Sequence, residues 1–262
     1  MNQQKRPVSF IHGIQIGGDA NVTGYSKRLQ GGIRTRDKVT LADDQIHETL
    51  WADVSEAVTE KYEKLAKLIG DALLARIPLA GNGLKAAVDL LGDVVVYRNS
   101  EHAKKIRKRV REQLPQNSVV VAHSLGSVIA FDILQEDIED GKYKSADRNT
   151  WPFHSLITFG SPLNLKMFFR DNDSHRNKNF SKDFGAWFYW YNLSDRHDPI
   201  VSGNVLGISK TPMLEQRYQD HAPHLNVKDG FINTGYHISA HMNYWSHPIV
   251  TARVASQITR DN

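Results

Sequence analysis

The residues from Ser118 to Phe131 constrain the fold of this chain most, because a buried strand is followed there at once by a sharp turn. The run Val119–Val121 is apolar and β-branched, as a fully buried parallel strand requires. The motif Ala-His-Ser-Leu-Gly at 122–126 comes next, and helix-forming residues continue to Ile138. The pattern predicts a strand, a tight turn and a helix.

Ser124 stands at the apex of this predicted turn. A serine there is held in a strained backbone conformation, and the residues two before and two after it must be small because strand and helix pass close together. Ala122 and Gly126 meet that demand, with Ala at the first position where the G-x-S-x-G pattern has Gly. The context predicts a nucleophile elbow; the alternative is an ordinary helix N-cap serine.

Composition indicates one large domain. The 262 residues include 40% hydrophobic and 24% charged residues, as in a globular α/β domain spanning 1–262. The absence of cysteine excludes disulfides, thiolate metal sites and cysteine nucleophiles, and fits a reducing compartment. The N-terminus has no apolar signal region and no run approaches the ~20 apolar residues of a membrane span. We therefore expect a soluble, cytoplasmic protein.

The chain is mildly basic, with a net charge of +4, and much of the basic charge lies in the segment 104–111. Apolar residues at helical spacing within and beside this segment predict a helix with a charged outer face: Ala103, Ile106, Val110 and Leu114. No aromatic residues interleave with the charges, so we expect no nucleic-acid partner. Peripheral contact of this helix with an anionic membrane or substrate is the alternative.

Strand and helix patterns alternate along the chain, which predicts a mostly parallel sheet with helices on both faces. The predicted strands are 8–11, 46–51, 94–97, 119–121, 153–159 and 186–192, and helices are predicted at 25–34, 55–76, 100–114 and 127–138. The apolar helical faces between about 55 and 92 predict an insertion, either a helical cap over the site or a routine packed helix pair.

A serine nucleophile needs an imidazole base, and the imidazole needs a carboxylate that fixes its tautomer. The acid candidates follow the aromatic strand: Asp198, stiffened by Pro199, is favoured over Asp195. The base must come from the late histidines, His221, His224, His237, His241 and His247. Residue types alone do not separate these five.

An acyl-transfer site also needs two backbone N–H donors for the developing oxyanion. Leu125, directly after the serine, can supply one. The other is expected from the loop after the first strand, where Gly13 follows His12 and Ile14 can donate its N–H. The alternative is that His12-Gly13 is a plain turn.

Together, the His12-Gly13 loop, the motif around His123 and Ser124, the Asp198-Pro199 pair and the run His241-Met-Asn-Tyr-Trp245 resemble the α/β-hydrolase superfamily. The similarity is to its serine esterase and lipase-like branch and covers 8 to about 250. It implies His241 as base, with His237 second, and ester or thioester hydrolysis without metal or organic cofactor. Ala122 departs mildly from the commonest elbow pattern.

The resulting hypothesis is a serine hydrolase of carboxylic esters, including acyl-lipid esters if the 55–92 segment forms a lid. Its substrate would be a small-molecule or lipid ester, and the sequence does not indicate an oligomeric state. The alternatives are a small-molecule esterase or thioesterase and a non-catalytic binding protein with the same fold. The complete set of candidate residues disfavours the non-catalytic alternative.

Overall fold

The computed structural model describes residues 5–13, 23–51, 54, 97, 100–140, 150–164, 188–202, 227–235 and 237–260. The six strands are β1 (Val8–Ile11), β2 (Ile46–Thr49), β3 (Ser118–His123), β4 (Phe153–Phe159), β5 (Tyr189–Ser194) and β6 (Val227–Phe231). The α-helices are α1 (Lys27–Thr35), α2 (Ser100–Arg111), α3 (Leu125–Glu139), α4 (Pro199–Ser202), α5 (His237–Met242) and α6 (Pro248–Ile258). Short 3₁₀ helices lie at Asp43–Gln45, Pro162–Asn164 and Asn243–Ser246.

The strands form one open sheet in the order β2-β1-β3-β4-β5-β6, and every neighbouring pair is parallel. All residues of the central strands β1, β3 and β4 are buried. Parallel strands bury both faces, which explains why β3 carries a continuous apolar run at Val119–Ala122 rather than an alternating pattern. The carboxyl ends of all six strands meet at one edge of the sheet.

Helices cover both faces of the sheet, as predicted. One apolar cluster joins α2 and α3 to side chains that include Val120, Leu156 and Trp190. A second cluster, on the other face, joins α1 and α6 to side chains that include Val119, Val121 and Ile157. Adjacent residues of β3 thus point to opposite layers. The predicted α/β architecture is confirmed.

The basic helix α2 is tied to α3 by ion pairs in which Arg107 and Asp137 are buried and Arg111 and Glu136 are half-buried. Arg107 Nε lies 2.7 Å from Glu136 Oε1, and Arg111 lies 3.0 Å from the same carboxylate. Arg111 also lies 3.1 Å from Asp137. Two of the basic residues that the sequence placed on a charged outer face therefore point inward, because α3 supplies carboxylates for them.

The main departure from the predicted elements concerns the edge of the sheet that β5 and β6 form. Strand β6 was not predicted, because Val227–Phe231 (VKDGF) is polar and carries a glycine, and β5 begins at Tyr189 and ends at Ser194 rather than Asn192. Tyr97 is helical, so the strand prediction at 94–97 is wrong at that residue. The rest of that segment and most of the predicted cap at 55–92 lie outside the described residues.

Across the described part of the chain, no helix combines the length and apolarity that crossing a bilayer requires.

Candidate active site

Ser124 lies at the carboxyl edge of the sheet, between the last residue of β3 and the first of α3. Its backbone has φ 53° and ψ −129°, a conformation that non-glycine residues rarely adopt. A Cβ on Gly126 would overlap the carbonyl oxygens of Ile11 and His12. The first turn of α3 therefore passes close to the end of β1, which requires glycine at position 126, and Ser124 follows directly after the last residue of β3.

His241 connects this serine to a carboxylate. Its Nε2 lies 2.9 Å from Ser124 Oγ, and its Nδ1 lies 2.9 Å from Asp198 Oδ2. All three side chains are buried. The structure thus brings together three residues that are far apart in the chain, in the order Ser, Asp, His. His241 is near the end of the short helix α5.

Both oxygens of the Asp198 carboxylate accept hydrogen bonds. Oδ1 accepts from the N–H of Ile200 at 2.9 Å, and Oδ2 accepts from His241 and from the hydroxyl of Tyr244 at 3.0 Å. The side chain is completely buried. These donors fix the orientation of the Asp198 carboxylate. Its Oδ2 therefore stays in position to accept the hydrogen bond from His241 Nδ1.

Asp195 does not contact His241 but holds the segment that leads to it. Its carboxylate accepts from the N–H and hydroxyl of Thr234 and from the N–H of His197. Burial alone would raise the pKa of Asp195, but these donors outweigh burial and hold the pKa below its ordinary value. The Thr234 hydroxyl also lies 2.6 Å from the carbonyl oxygen of Ala240, next to the histidine. Of the two competing aspartates, Asp198 is the one within hydrogen-bonding distance of the imidazole.

His123 packs directly against His241. The ring centroids are 4.7 Å apart, and Nε2 of His123 lies 2.8 Å from the backbone carbonyl of His241. Burial, and then the neighbouring His241, lower the pKa of His123 well below its usual value. The ring is therefore neutral at pH 7, and we assign the Nε2 proton to the bond with the carbonyl. His123 anchors the backbone that carries His241.

The loop after β1 approaches the serine closely. A Cβ on Gly13 would lie 2.5 Å from Ser124 Cβ, so only glycine fits there. The His12 ring stacks on Trp51 at 5.1 Å and contacts the Gly13 carbonyl through Nδ1. Burial lowers the pKa of His12 to about 4, so this ring is also neutral at pH 7.

Of the two expected oxyanion donors, Ile14 lies outside the described residues. Leu125 is the first residue of α3, so its N–H has no carbonyl one turn earlier to bond with. This leaves that N–H available to a ligand beside Ser124.

A chain of hydroxyl groups braces the elbow from behind, and sequence reasoning missed it. The Ser127 hydroxyl donates to the carbonyl oxygen of Ser124 and lies 2.7 Å from Ser161 Oγ, which accepts from the N–H of Leu163. Both serines are buried. The Gly160-Ser161-Pro162 turn after β4 was the available signal, because a polar residue at that strand end faces the same edge as Ser124.

Among the late histidines whose side chains are described, His241 contacts Ser124 and His247 does not. His237 begins α5, and nothing further of its side chain is described. His247 caps α6 by accepting from the N–H of Ile249 at 3.2 Å. His221 and His224 lie outside the described residues. Within that described part, no group of three or more His, Asp or Glu side chains is arranged to hold a metal ion.

Comparison with solved structures finds similar chains at low identity. Dienelactone hydrolase from Anabaena variabilis is 12% identical with a TM-score of 0.38, and the match covers 97% of this chain and 84% of that chain. The RedJ thioesterase of the prodiginine biosynthetic pathway in Streptomyces coelicolor is 13% identical with a TM-score of 0.38, covering 98% and 91%. At these values the likeness transfers no activity or substrate to this chain.

No protein-family model matches the chain, and the curated proteins contain no match either. The fold is therefore identified on its own geometry: an open parallel sheet, a strand–Ser124–helix turn at its carboxyl edge, and an aspartate and a histidine that follow in that order. These features together define the α/β-hydrolase fold, as the sequence predicted.

Proposed function

We propose that this protein is a serine hydrolase that cleaves carboxylic esters through an acyl-enzyme intermediate. One observation carries the proposal: the His241 ring bridges Ser124 Oγ and Asp198 Oδ2, at 2.9 Å on each side. A serine hydroxyl is a weak nucleophile at neutral pH, and this arrangement supplies both a base and the carboxylate that orients it.

In the first half of the reaction, Ser124 Oγ attacks the ester carbonyl while His241 Nε2 takes the hydroxyl proton. Asp198 accepts from Nδ1–H and stabilises the imidazolium as it forms. The tetrahedral intermediate carries its negative charge on the former carbonyl oxygen, for which we propose the N–H groups of Leu125 and Ile14 as donors. The intermediate collapses as His241 returns the proton to the leaving alcohol.

In the second half, water repeats the attack. His241 Nε2 takes a proton from the water molecule as its oxygen adds to the acyl carbonyl. The second intermediate then expels Ser124 Oγ, which recovers its proton from the imidazolium, and the acid is released. His123, neutral at pH 7, adds no positive charge beside the imidazolium. The steps need only the residues named and water.

A range of p-nitrophenyl esters, from acetate to long acyl chains, tests this proposal, with matched acyl thioesters alongside. We expect the wild type to hydrolyse at least one series and Ser124→Ala to lose that activity. Ser256→Ala, at an exposed serine of α6, is the control and should match the wild type. A folded wild type with no turnover of any ester or thioester would favour the binding-protein alternative.

The same experiment separates substrate classes. If the 55–92 segment caps an acyl pocket, each buried CH₂ adds up to about 0.8 kcal/mol of binding, and a few carbons raise kcat/KM by more than about tenfold. A preference for acetate indicates a small-molecule esterase, and a preference for the thioester series indicates a thioesterase.

A further inference from the structure

The layer formed by α1 and α6 carries the positive charge of the whole chain. Residues 23–38 and 248–260 hold seven basic residues and one acidic residue, a net charge of +6, against +4 for all 262 residues. The remaining residues together therefore carry a net charge of −2. We call the seven cations of this layer the basic face: Lys27, Arg28, Arg34, Arg36, Lys38, Arg253 and Arg260.

Within the described part of the chain, no carboxylate neutralises the basic face. None of its seven cations forms an ion pair among the described residues; Arg36 contacts the Thr251 hydroxyl and Lys38 the Thr35 carbonyl. The helix α2, on the opposite face of the sheet, differs. There Arg107 and Arg111 pair with carboxylates of α3, and Lys104 pairs with Glu101 at 3.1 Å. Among the described residues, the unpaired positive charge of these helices is therefore concentrated on the α1 and α6 side of the sheet.

The two helices pack closely enough to present one continuous surface. A Cβ on Gly32 would lie 2.6 Å from Thr251 Cγ2, so only glycine permits this approach. The outward positions between the cations are small residues, among them Gly31, Ala252 and Ser256. No bulky side chain at these positions separates the cations from a planar partner.

Apolar side chains are exposed at the end of this layer that adjoins Ser124 and His241. Ile249, in the first turn of α6, is 46% exposed, and Met242, next to His241, is 39% exposed. On the same layer, Arg253 lies over the ring of Tyr191 and Arg260 over that of Tyr189. These rings are covered and do not offer the free stacking platforms that single-stranded nucleic acid uses.

We infer that the basic face docks on the surface of an anionic lipid bilayer. Lysine and arginine side chains supply the attraction to anionic headgroups, and Ile249 and Met242 can enter the interfacial region beside the site. This places the membrane contact on the opposite side of the protein from α2, the helix for which such contact was the alternative prediction. The inference does not depend on the proposed hydrolysis, since binding is measured without turnover.

Co-sedimentation of the whole protein with vesicles tests this inference. The vesicles contain phosphatidylcholine alone or phosphatidylcholine with phosphatidylglycerol. One variant carries Lys27→Gln, Arg28→Gln and Arg34→Gln, and the matched control carries Lys104→Gln, Lys105→Gln and Lys108→Gln on α2. Both lose three exposed charges, and thermal unfolding checks that both remain folded.

We expect binding to the anionic vesicles only, with a loss of about 10- to 100-fold in the basic-face variant and a much smaller loss in the control. Binding should also weaken at about 1 M salt. Equal binding to neutral vesicles, equal losses in the two variants or no vesicle binding would overturn the inference. So would retention of a labelled single-stranded RNA with no vesicle binding, which would assign the face to nucleic acid.

Discussion

The hydroxyl of Tyr244 donates to Asp198 Oδ2 at 3.0 Å, the same carboxylate oxygen that accepts from His241. The tyrosine oxygen in turn accepts from the backbone N–H of Asp195 at 2.7 Å. Burial and then the adjacent Asp198 raise the pKa of Tyr244, so the hydroxyl stays protonated and acts as a donor. Tyr244 thus positions the carboxylate that orients the imidazole.

Removing this hydroxyl should slow the chemical step. We expect Tyr244→Phe to lower kcat by about tenfold with KM nearly unchanged. A hydrogen bond to a charged group contributes about 1.5–3 kcal/mol, and only the part that stabilises the transition state more than the bound substrate affects kcat. Steady-state kinetics on the preferred ester measures the effect. Tyr189→Phe, on strand β5 beneath Arg260, is the control, and equal losses in both variants would contradict the positioning role.

The two aspartates should respond differently to the same substitution. Asp198→Asn removes the acceptor for His241 Nδ1–H and should lower kcat by about 10²–10⁴ with the fold intact. Asp195→Asn weakens the contacts to Thr234 and should instead lower the free energy of unfolding by about 1–3 kcal/mol, with a smaller loss of kcat. Kinetics and urea unfolding on both variants separate these effects, and a reversed ranking of kcat would move the acid to Asp195.

The sequence was sufficient to predict the centre of the fold because local and long-range signals agree there. The apolar run of β3, the small residues around Ser124 and the helix formers that follow all favour the same strand–turn–helix interpretation. Loop position in the chain also favoured Asp198, the residue that contacts His241. The resemblance to a family, rather than periodicity, selected His241 from five histidines.

The edge of the fold and the contacts behind the site could not be predicted in the same way. Strand β6 has little apolar pattern, because it packs at the sheet edge beside β5. Tyr244 looks like a packing residue in the sequence, and only the three-dimensional structure brings its hydroxyl to Asp198 across 46 positions. Contacts of that kind depend on how one segment packs against another in three dimensions. The local sequence pattern around Tyr244 does not reveal that packing.

The buried histidine of the first loop should make folding pH-dependent. The pKa of His12 is about 4 in the folded protein against 6.5 ordinarily, because burial disfavours the charged ring. Between these values the unfolded chain binds more protons, so the free energy of unfolding falls as the pH falls from 6.5 to 4, by about 3 kcal/mol from this residue. His123 acts in the same direction.

Urea unfolding between pH 7 and 4 measures this dependence. His12→Asn keeps a donor for the Gly13 carbonyl and cannot become charged, so its stability should fall by about 3 kcal/mol less than that of the wild type. The control is His47→Asn, on strand β2 away from the elbow. If His12→Asn and the wild type lose stability in parallel, the His12 ring is not buried in its neutral form.

The most direct test of the account is covalent labelling of the folded protein with a fluorophosphonate probe, read by mass spectrometry. Attack by Ser124 Oγ on phosphorus expels fluoride and leaves one phosphonyl group on the serine, while denatured protein should not react. We predict one label on Ser124 in the wild type, none in Ser124→Ala and strongly slowed labelling in His241→Ala. Stoichiometric labelling of Ser124→Ala, or no labelling of the folded wild type, would contradict the assignment of Ser124 as the nucleophile.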